Sequence, residues 1–202
     1  RKASRLPGHR AYVIRDRARA WCTEEVARQL VAGFDRLRLL DRNTPRIEVH
    51  DLSLRRGGPM RGHRSHQSGR DVDLAYFRST CGKSACDFRP TRPHELDVVS
   101  QWRLLSPWLE SGQIEAGFMD YRLQATLYRH ARRAGVARAK LRRWFQYPRG
   151  RQHPGGTLRH YPKHSDHLHL RFACHTSDPE CVTIRLSADP ARARQARVHR
   201  RD

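Results

Sequence analysis

The sequence predicts an α+β domain, with a small antiparallel sheet at its core flanked by helices and long loops. Three observations carry this. Apolar residues recur at helical spacing in some stretches and alternate at strand spacing in others. No regular strand–helix–strand rhythm links them. The chain has 202 residues, which fits one domain of ordinary size able to bury a real core. Residues 1–188 read as that single domain and 189–202 as a basic C-terminal tail.

The opening "RKASRLPGHRAYVIRDRARAW" reads as a basic arm containing a short strand at 11–14. "TEEVARQLVAGFDRLRLL" predicts a helix. Thr23 is its N-cap, acids fill the first turn, and apolar residues fall at 26, 30, 31, 34, 37 and 40. "RIEVHDLSL" is strand-like, with Ile47 and Val49 on one face and Glu48 and His50 on the other. The glycine-rich "RRGGPMRG" reads as a loop and "DVDLAYF" as the next strand. "HELDVVSQWRLLSPWLESG" predicts a second helix, broken near Pro107. "FMDYRLQATLYRHARRAG" predicts a third, with Phe118, Leu123, Leu127 and Tyr128 as its apolar stripe and Gly135 as its stop. A long loop rich in Pro, Gly and His follows, then the strand "LHLRFAC". The last residues carry arginines and almost no apolar anchor, as a solvated tail does.

The formal charge of +21 favours an anionic partner: nucleic acid, a membrane face or an anionic polymer. No apolar run approaches the roughly eighteen residues of a membrane span, so no transmembrane segment is expected. The chain reads as a mature form, its signal peptide removed. Cys81 and Cys86 bracket "CGKSAC", and Cys174 and Cys181 bracket "CHTSDPEC". Two close pairs across turn-forming residues point to local disulfides and an oxidising compartment, periplasmic or secreted. Cys22 is left over.

"GHRSHQSGRDVDL" and "KHSDHLHLRF" concentrate the metal-ligating residue types. Side chains alternate faces along a strand. Leu168, Leu170 and Phe172 then share one face, and His167, His169 and Arg171 the other. Val72 and Leu74 likewise oppose Asp71 and Asp73. A catalytic zinc takes three protein N or O donors and leaves one position open. His66, Asp73 and His169 satisfy that count. Periodicity alone does not separate Asp71 from Asp73, or His167 from His169.

These two motifs resemble the two signatures of the penicillin-insensitive murein endopeptidases, a family related to lysostaphin-type peptidases, D-Ala-D-Ala metallopeptidases and the hedgehog domain. The shared pattern is His66, six residues, Asp73, and later His167 and His169. "LPGHRAYVIR" and "RFACHTSDPEC" resemble flanking segments, so the likeness runs over most of residues 6–181. The resemblance implies His66, Asp73 and His169 as ligands of one Zn2+ per chain, with His167 and His164 as catalytic histidines. It implies that Cys174 and Cys181 pair. His63 matches a ligand of the family's second zinc, but "QWRLL" lacks the companion Asp or His, so one metal is expected.

By the same resemblance the protein hydrolyses D-alanyl–diaminopimelyl cross-links of peptidoglycan by a metal-activated water, insensitive to β-lactams. An imidazole, His164 or His167, would take the water's proton. Ser65, Gln67 and Asp71 are expected to orient the ligands. Anionic cell-wall polymers are the partners that the charge implies. Two other readings use the same features. One is a basic nucleic-acid-binding protein or His-metal nuclease, against which stand the cysteine pairs and the lack of an RNA-binding aromatic signature or Cys/His finger, so no nucleic-acid partner is expected. The other is a catalytically dead peptidoglycan-binding domain, disfavoured by the retained ligand and histidine set.

Overall fold

The computed structural model describes residues 3–82, 84–176, 178–179 and 181–183. The tail at 189–202 lies outside the described residues. Among the described residues, eight strands and four α-helices follow one another: β1 (Ser4–Arg5), β2 (Tyr12–Ile14), β3 (Trp21–Cys22), α1 (Glu24–Leu40), β4 (Ile47–Val49), β5 (Asp71–Ala75), α2 (Val98–Glu110), β6 (Ile114–Phe118), α3 (Tyr121–Arg133), α4 (Arg138–Trp144), β7 (Leu158–Arg159) and β8 (His167–Phe172). β1 and β3 make a two-stranded ribbon, and the other six strands form one sheet in the order β2-β4-β5-β8-β6-β7. The α+β class holds. The expected antiparallel core is the central run β4-β5-β8-β6. Parallel pairs β2–β4 and β6–β7 extend it at both edges.

The register of β5 against β8 sets the rest. Asp73 lies opposite His169, Asp71 opposite Arg171 and Ala75 opposite His167. The intervening pairs, Val72 with Leu170 and Leu74 with Leu168, are fully buried in the hydrophobic core. One face of the strand pair is therefore apolar and the other carries every acid and imidazole, as the period-two alternation requires.

α1 forms where its sequence signals place it. The Thr23 hydroxyl accepts from the Val26 N–H at 3.2 Å, and Val26, Ala27, Leu30, Phe34 and Leu37 are buried. Leu40, the last of the expected stripe, is exposed.

α2 departs from expectation in two ways. It begins at Val98 rather than near His94, because Asp97 caps it by accepting from the Ser100 N–H at 3.1 Å. It also runs unbroken through Pro107 to Glu110. A proline inside a helix leaves the carbonyl four residues earlier without its N–H. Here that carbonyl, on Arg103, accepts from Arg36 Nη2 at 3.0 Å, so the lost bond is replaced from α1.

The third helix starts at Tyr121, capped by Asp120, and ends at Arg133. Phe118 belongs instead to β6, a strand that the sequence reading folded into the helix. β6 is threaded between β8 and β7. A Cβ on Gly117 would meet the Leu158 and Leu170 side chains at 2.8 and 3.0 Å, so glycine permits this close approach. Short β7 interrupts the expected long loop, and α4 adds a helix with no counterpart in the sequence reading. Both cysteine pairs are joined, Cys81 to Cys86 and Cys174 to Cys181, and Cys22 is free and buried.

Gly33 of α1 lies against Trp108 of α2, where an added Cβ would lie 2.4 Å from Trp108 Cζ2. Trp108 is buried and packs edge-on against Phe172 of the sheet, so it has nowhere to move. Gly→Ala inside a helix ordinarily gains about 0.5–1 kcal/mol. For Gly33→Ala the sign should reverse, with a loss of about 1–3 kcal/mol from overpacking. Urea or thermal unfolding measures it, and a variant as stable as the parent would refute the tight contact.

Candidate metal centre

The paired strands deliver the first two donors. Asp73 and His169, directly opposite in register, meet with His169 Nδ1 2.8 Å from Asp73 Oδ1. The third arrives on the loop after β4. The ring nitrogen Nδ1 of His66 lies 3.0 Å from the Leu52 carbonyl, an acceptor only, so Nδ1 carries a proton and Nε2 is the free lone pair. That Nε2 is 3.1 Å from His169 Nδ1 and 3.3 Å from Asp73 Oδ2. All three residues are buried.

The donor set fits a divalent cation. Bonds of about 2.0–2.2 Å in a tetrahedral site put neighbouring donors roughly 3.3 Å apart; here the two ring nitrogens are 3.1 Å apart, one Asp73 oxygen lies 2.8 Å from His169 Nδ1 and the other 3.3 Å from His66 Nε2. His63, His66 and Asp73 also form a group whose ligand atoms lie within 4.8 Å of one another and can hold a metal ion. Nδ1 of His63 is 3.9 Å from Asp73 Oδ2, while its Nε2 is engaged by Asp51 Oδ2 at 2.6 Å.

Behind the donors stands a chain of charge. His169 Nε2 is 3.2 Å from Asp71 Oδ1, and both Asp71 oxygens accept from Arg171 Nη1 at 3.1 Å. Burial would disfavour charge on the His169 ring, but Asp71 and Asp73 together outweigh it and raise its pKa to about 9. Burial likewise works against the Asp73 carboxylate, and the His169 and His66 rings overcome it, holding Asp73 well below the usual carboxylate range. Asp71 is lowered in the same way, burial being outweighed first by His169.

The two expected catalytic histidines stand on the open side. His167 holds Asp166 Oδ1 through Nδ1 at 2.7 Å and turns Nε2 toward Asp73 Oδ1, 3.8 Å away. The His164 ring centre is 4.7 Å from that of His167 and 6.1 Å from that of His169. Burial, reinforced by the neighbouring His167, lowers the His164 pKa to about 4, so this imidazole is neutral at pH 7. The Tyr76 hydroxyl donates to the His164 carbonyl at 2.9 Å and fixes its loop.

Asp71 sits where the sequence reading put it, bonded behind His169. Ser65 and Gln67 do not. They line a cavity of about 710 Å³ that also takes in Arg55, Arg64 and Arg171 and none of the donor residues. The loop carries its side chains to both of its sides, so neighbours of His66 face away from it. Asp51 was missed. The only signal was its place beside His50 in "VHDL", where a polar pair breaks strand alternation. It joins His63 to Arg19, whose Nη1 donates to Asp51 Oδ2 at 2.9 Å. Phe118 and Tyr161 were also missed as neighbours of the site. Phe118 lies 5.4 Å from both the His164 and His169 rings and 5.1 Å from Tyr161.

A family model described as penicillin-insensitive murein endopeptidase matches residues 3–192 of the chain. Comparison with curated proteins finds no match.

The pKa of His169 gives the centre a pH signature. A raised imidazole pKa stabilises the metal-free fold fully below about 6.5, and that contribution is lost as pH rises through about 9. The apparent melting temperature of the metal-free chain should therefore fall between pH 6.5 and 9. A cation taking Nδ1 must displace the proton, so zinc affinity should climb over the same range and zinc should flatten the fall. Melts that do not move with pH in the metal-free chain would count against the His169 assignment.

Proposed function

The chain belongs to the penicillin-insensitive murein endopeptidase family, and we propose that it is a zinc-dependent hydrolase of D-alanyl–diaminopimelyl cross-links in peptidoglycan. The observation that carries this reading is the buried donor triangle of His66, Asp73 and His169. His169 is preferred to His63 as third ligand because its Nδ1 is 2.8 Å from Asp73, against 3.9 Å for His63 Nδ1.

Zinc bound there would supply a Lewis acid for the scissile carbonyl and acidify water. The chain's own residues supply the rest. His164, neutral at pH 7, has a ring lone pair free to accept a proton from the attacking water. His167, with Nδ1 held by Asp166, presents Nε2 to the same space and is placed to donate to the oxyanion or leaving amine. Asp71 and Arg171 keep the His169 ring in the orientation that aims Nδ1 at the metal. Phe118 and Tyr161 wall one side of the site. Water being the nucleophile, no acyl-serine forms and β-lactams have no target.

Peptidoglycan as substrate places the enzyme outside the cytoplasm. The two disulfides fit that location, and among the described residues no helix is long and apolar enough to cross a membrane. A periplasmic or secreted enzyme meets anionic wall polymers, for which the +21 charge is suited.

Metal analysis of the purified chain, followed by digestion of cross-linked muropeptides, tests the proposal. One zinc and release of uncross-linked products, blocked by chelator and not by penicillin, is the expected result. His66→Ala should lose both metal and activity, and full zinc content in that variant would overturn the ligand set. His164→Ala and His167→Ala should keep zinc and lose about 10²- to 10⁴-fold in rate. Loss of zinc from either would move that histidine among the ligands.

The arginines at 192, 194, 197, 200 and 201 follow the last motif and are proposed to tether the enzyme to the wall. Exposed charges are screened over about 8–10 Å at ordinary ionic strength. Deleting residues 190–202 should weaken binding to whole sacculi as added salt does, while cleavage of a small soluble muropeptide stays intact. A truncated chain that binds sacculi normally would reject the tether.

A further inference from the structure

The segment between β5 and α2 supplies none of the candidate ligands and neither expected catalytic histidine, yet one of its rings lies against His167. Phe88 stacks on His167 with centres 5.0 Å apart and planes 3° from parallel. Its other face lies against His50, also near-parallel at 4°. His50 is itself held by Glu48 Oε2 at 2.7 Å, so the three rings form a column rooted in the sheet.

Phe88 is held there by anchors on both sides. The Cys81–Cys86 disulfide closes the turn before it. Cys86 is buried and pairs with the edge of β4, its N–H donating to the Arg46 carbonyl at 2.7 Å and its carbonyl accepting from the Glu48 N–H at 2.8 Å. Asp87 pairs with the buried Arg78, which also donates to the Asp87 carbonyl at 2.8 Å. On the far side, the Thr91 N–H donates to the Ser165 carbonyl at 2.8 Å, tying the segment to the chain just ahead of β8. A turn cross-linked at one end and bonded to the sheet leaves the ring after it little freedom.

We propose that Phe88 is the positioning residue for His167, and that the disulfide-closed turn exists to hold it. An imidazole turns about two side-chain bonds. Asp166 constrains Nδ1 but permits the ring to swing about that bond. Phe88, covering one face, removes the swing and leaves Nε2 aimed at the space beside Asp73. Misaligning a proton-transfer group by about 1 Å can lower a rate by about 10²-fold. The inference rests on the reading of His167 as a proton-handling group.

Phe88→Ala should lower kcat on cross-linked muropeptides by about 10- to 100-fold, with KM and zinc content near those of the parent. Phe88→Tyr, which keeps the ring, should restore the rate. In a His167→Ala background, Phe88→Ala should cost nothing further, since its effect passes through that imidazole. An unchanged kcat in Phe88→Ala, or an equal loss in both backgrounds, overturns the proposal. A second readout needs no turnover. In the metal-free chain the His167 Cε1–H NMR signal should be shifted upfield by the Phe88 ring, lose the shift in Phe88→Ala and regain it in Phe88→Tyr. No such shift would refute the contact. If the parent cleaves no murein, the proposed function fails, and the NMR signal still decides whether Phe88 fixes that ring.

Discussion

Two carboxylates in the middle of a sheet are the constraint around which the structure is arranged. Asp71 and Asp73 are buried on β5, and a buried charge is tolerated only when it is paired and hydrogen-bonded. The partners are His169 and Arg171, directly across on β8. Shifting that register by one residue would set Asp73 against a leucine and turn the whole polar row into the core. The same pairing that makes the acids bearable therefore fixes the strands, and the strands fix where the donors meet. Structural necessity and site geometry are here one interaction.

The rest of the chain braces that face. α1 and α2 close over the apolar side, with the Arg36 bond to Arg103 keeping α2 continuous through its proline. The loop bearing His66 is tied down at both ends. The Gly58 N–H donates to the Gln67 carbonyl at 2.9 Å, and the Thr23 N–H to the Gly69 carbonyl at 3.1 Å. Gly69 has φ +71°, and a Cβ there would meet the Cys22 and Thr23 backbone at 2.8–3.0 Å, so only glycine lets the loop lie against the start of α1. A histidine on a loop thus reaches the precision of one on a strand.

Much of this was legible in the sequence because strand alternation is a local rule. "DVDLAYF" and "HLHLRF" announce an apolar face and a polar face without any knowledge of what they pair with. Which of Asp71 and Asp73 faces the histidines, and which stands behind, is a property of register, and alternation puts both on one side. The same limit hid β6, where Gly117 reads as a poor strand residue and Phe118 falls in phase with the following helix. Loop residues were the least legible. Ser65 and Gln67 flank His66 in sequence yet face an arginine-lined cavity, and Asp51 reaches His63 only through a turn that no periodicity marks. Pro107 misled for a related reason, since the donor that rescues its helix, Arg36, lies 67 residues before the Arg103 carbonyl it bonds.

Cys22, the odd cysteine, sits in a chain with two disulfides. An unpaired thiol in such company is ordinarily a threat, because a thiolate can attack a neighbouring disulfide and scramble the pairing. Burial pushes the Cys22 thiol up to about 12, so at pH 7 it stays protonated and does not present the attacking thiolate. The thiol is also fully enclosed, at the end of the strand on which the Gly69 loop rests. Sealing it there makes the odd sulfur chemically silent, so the two cross-links persist as first formed.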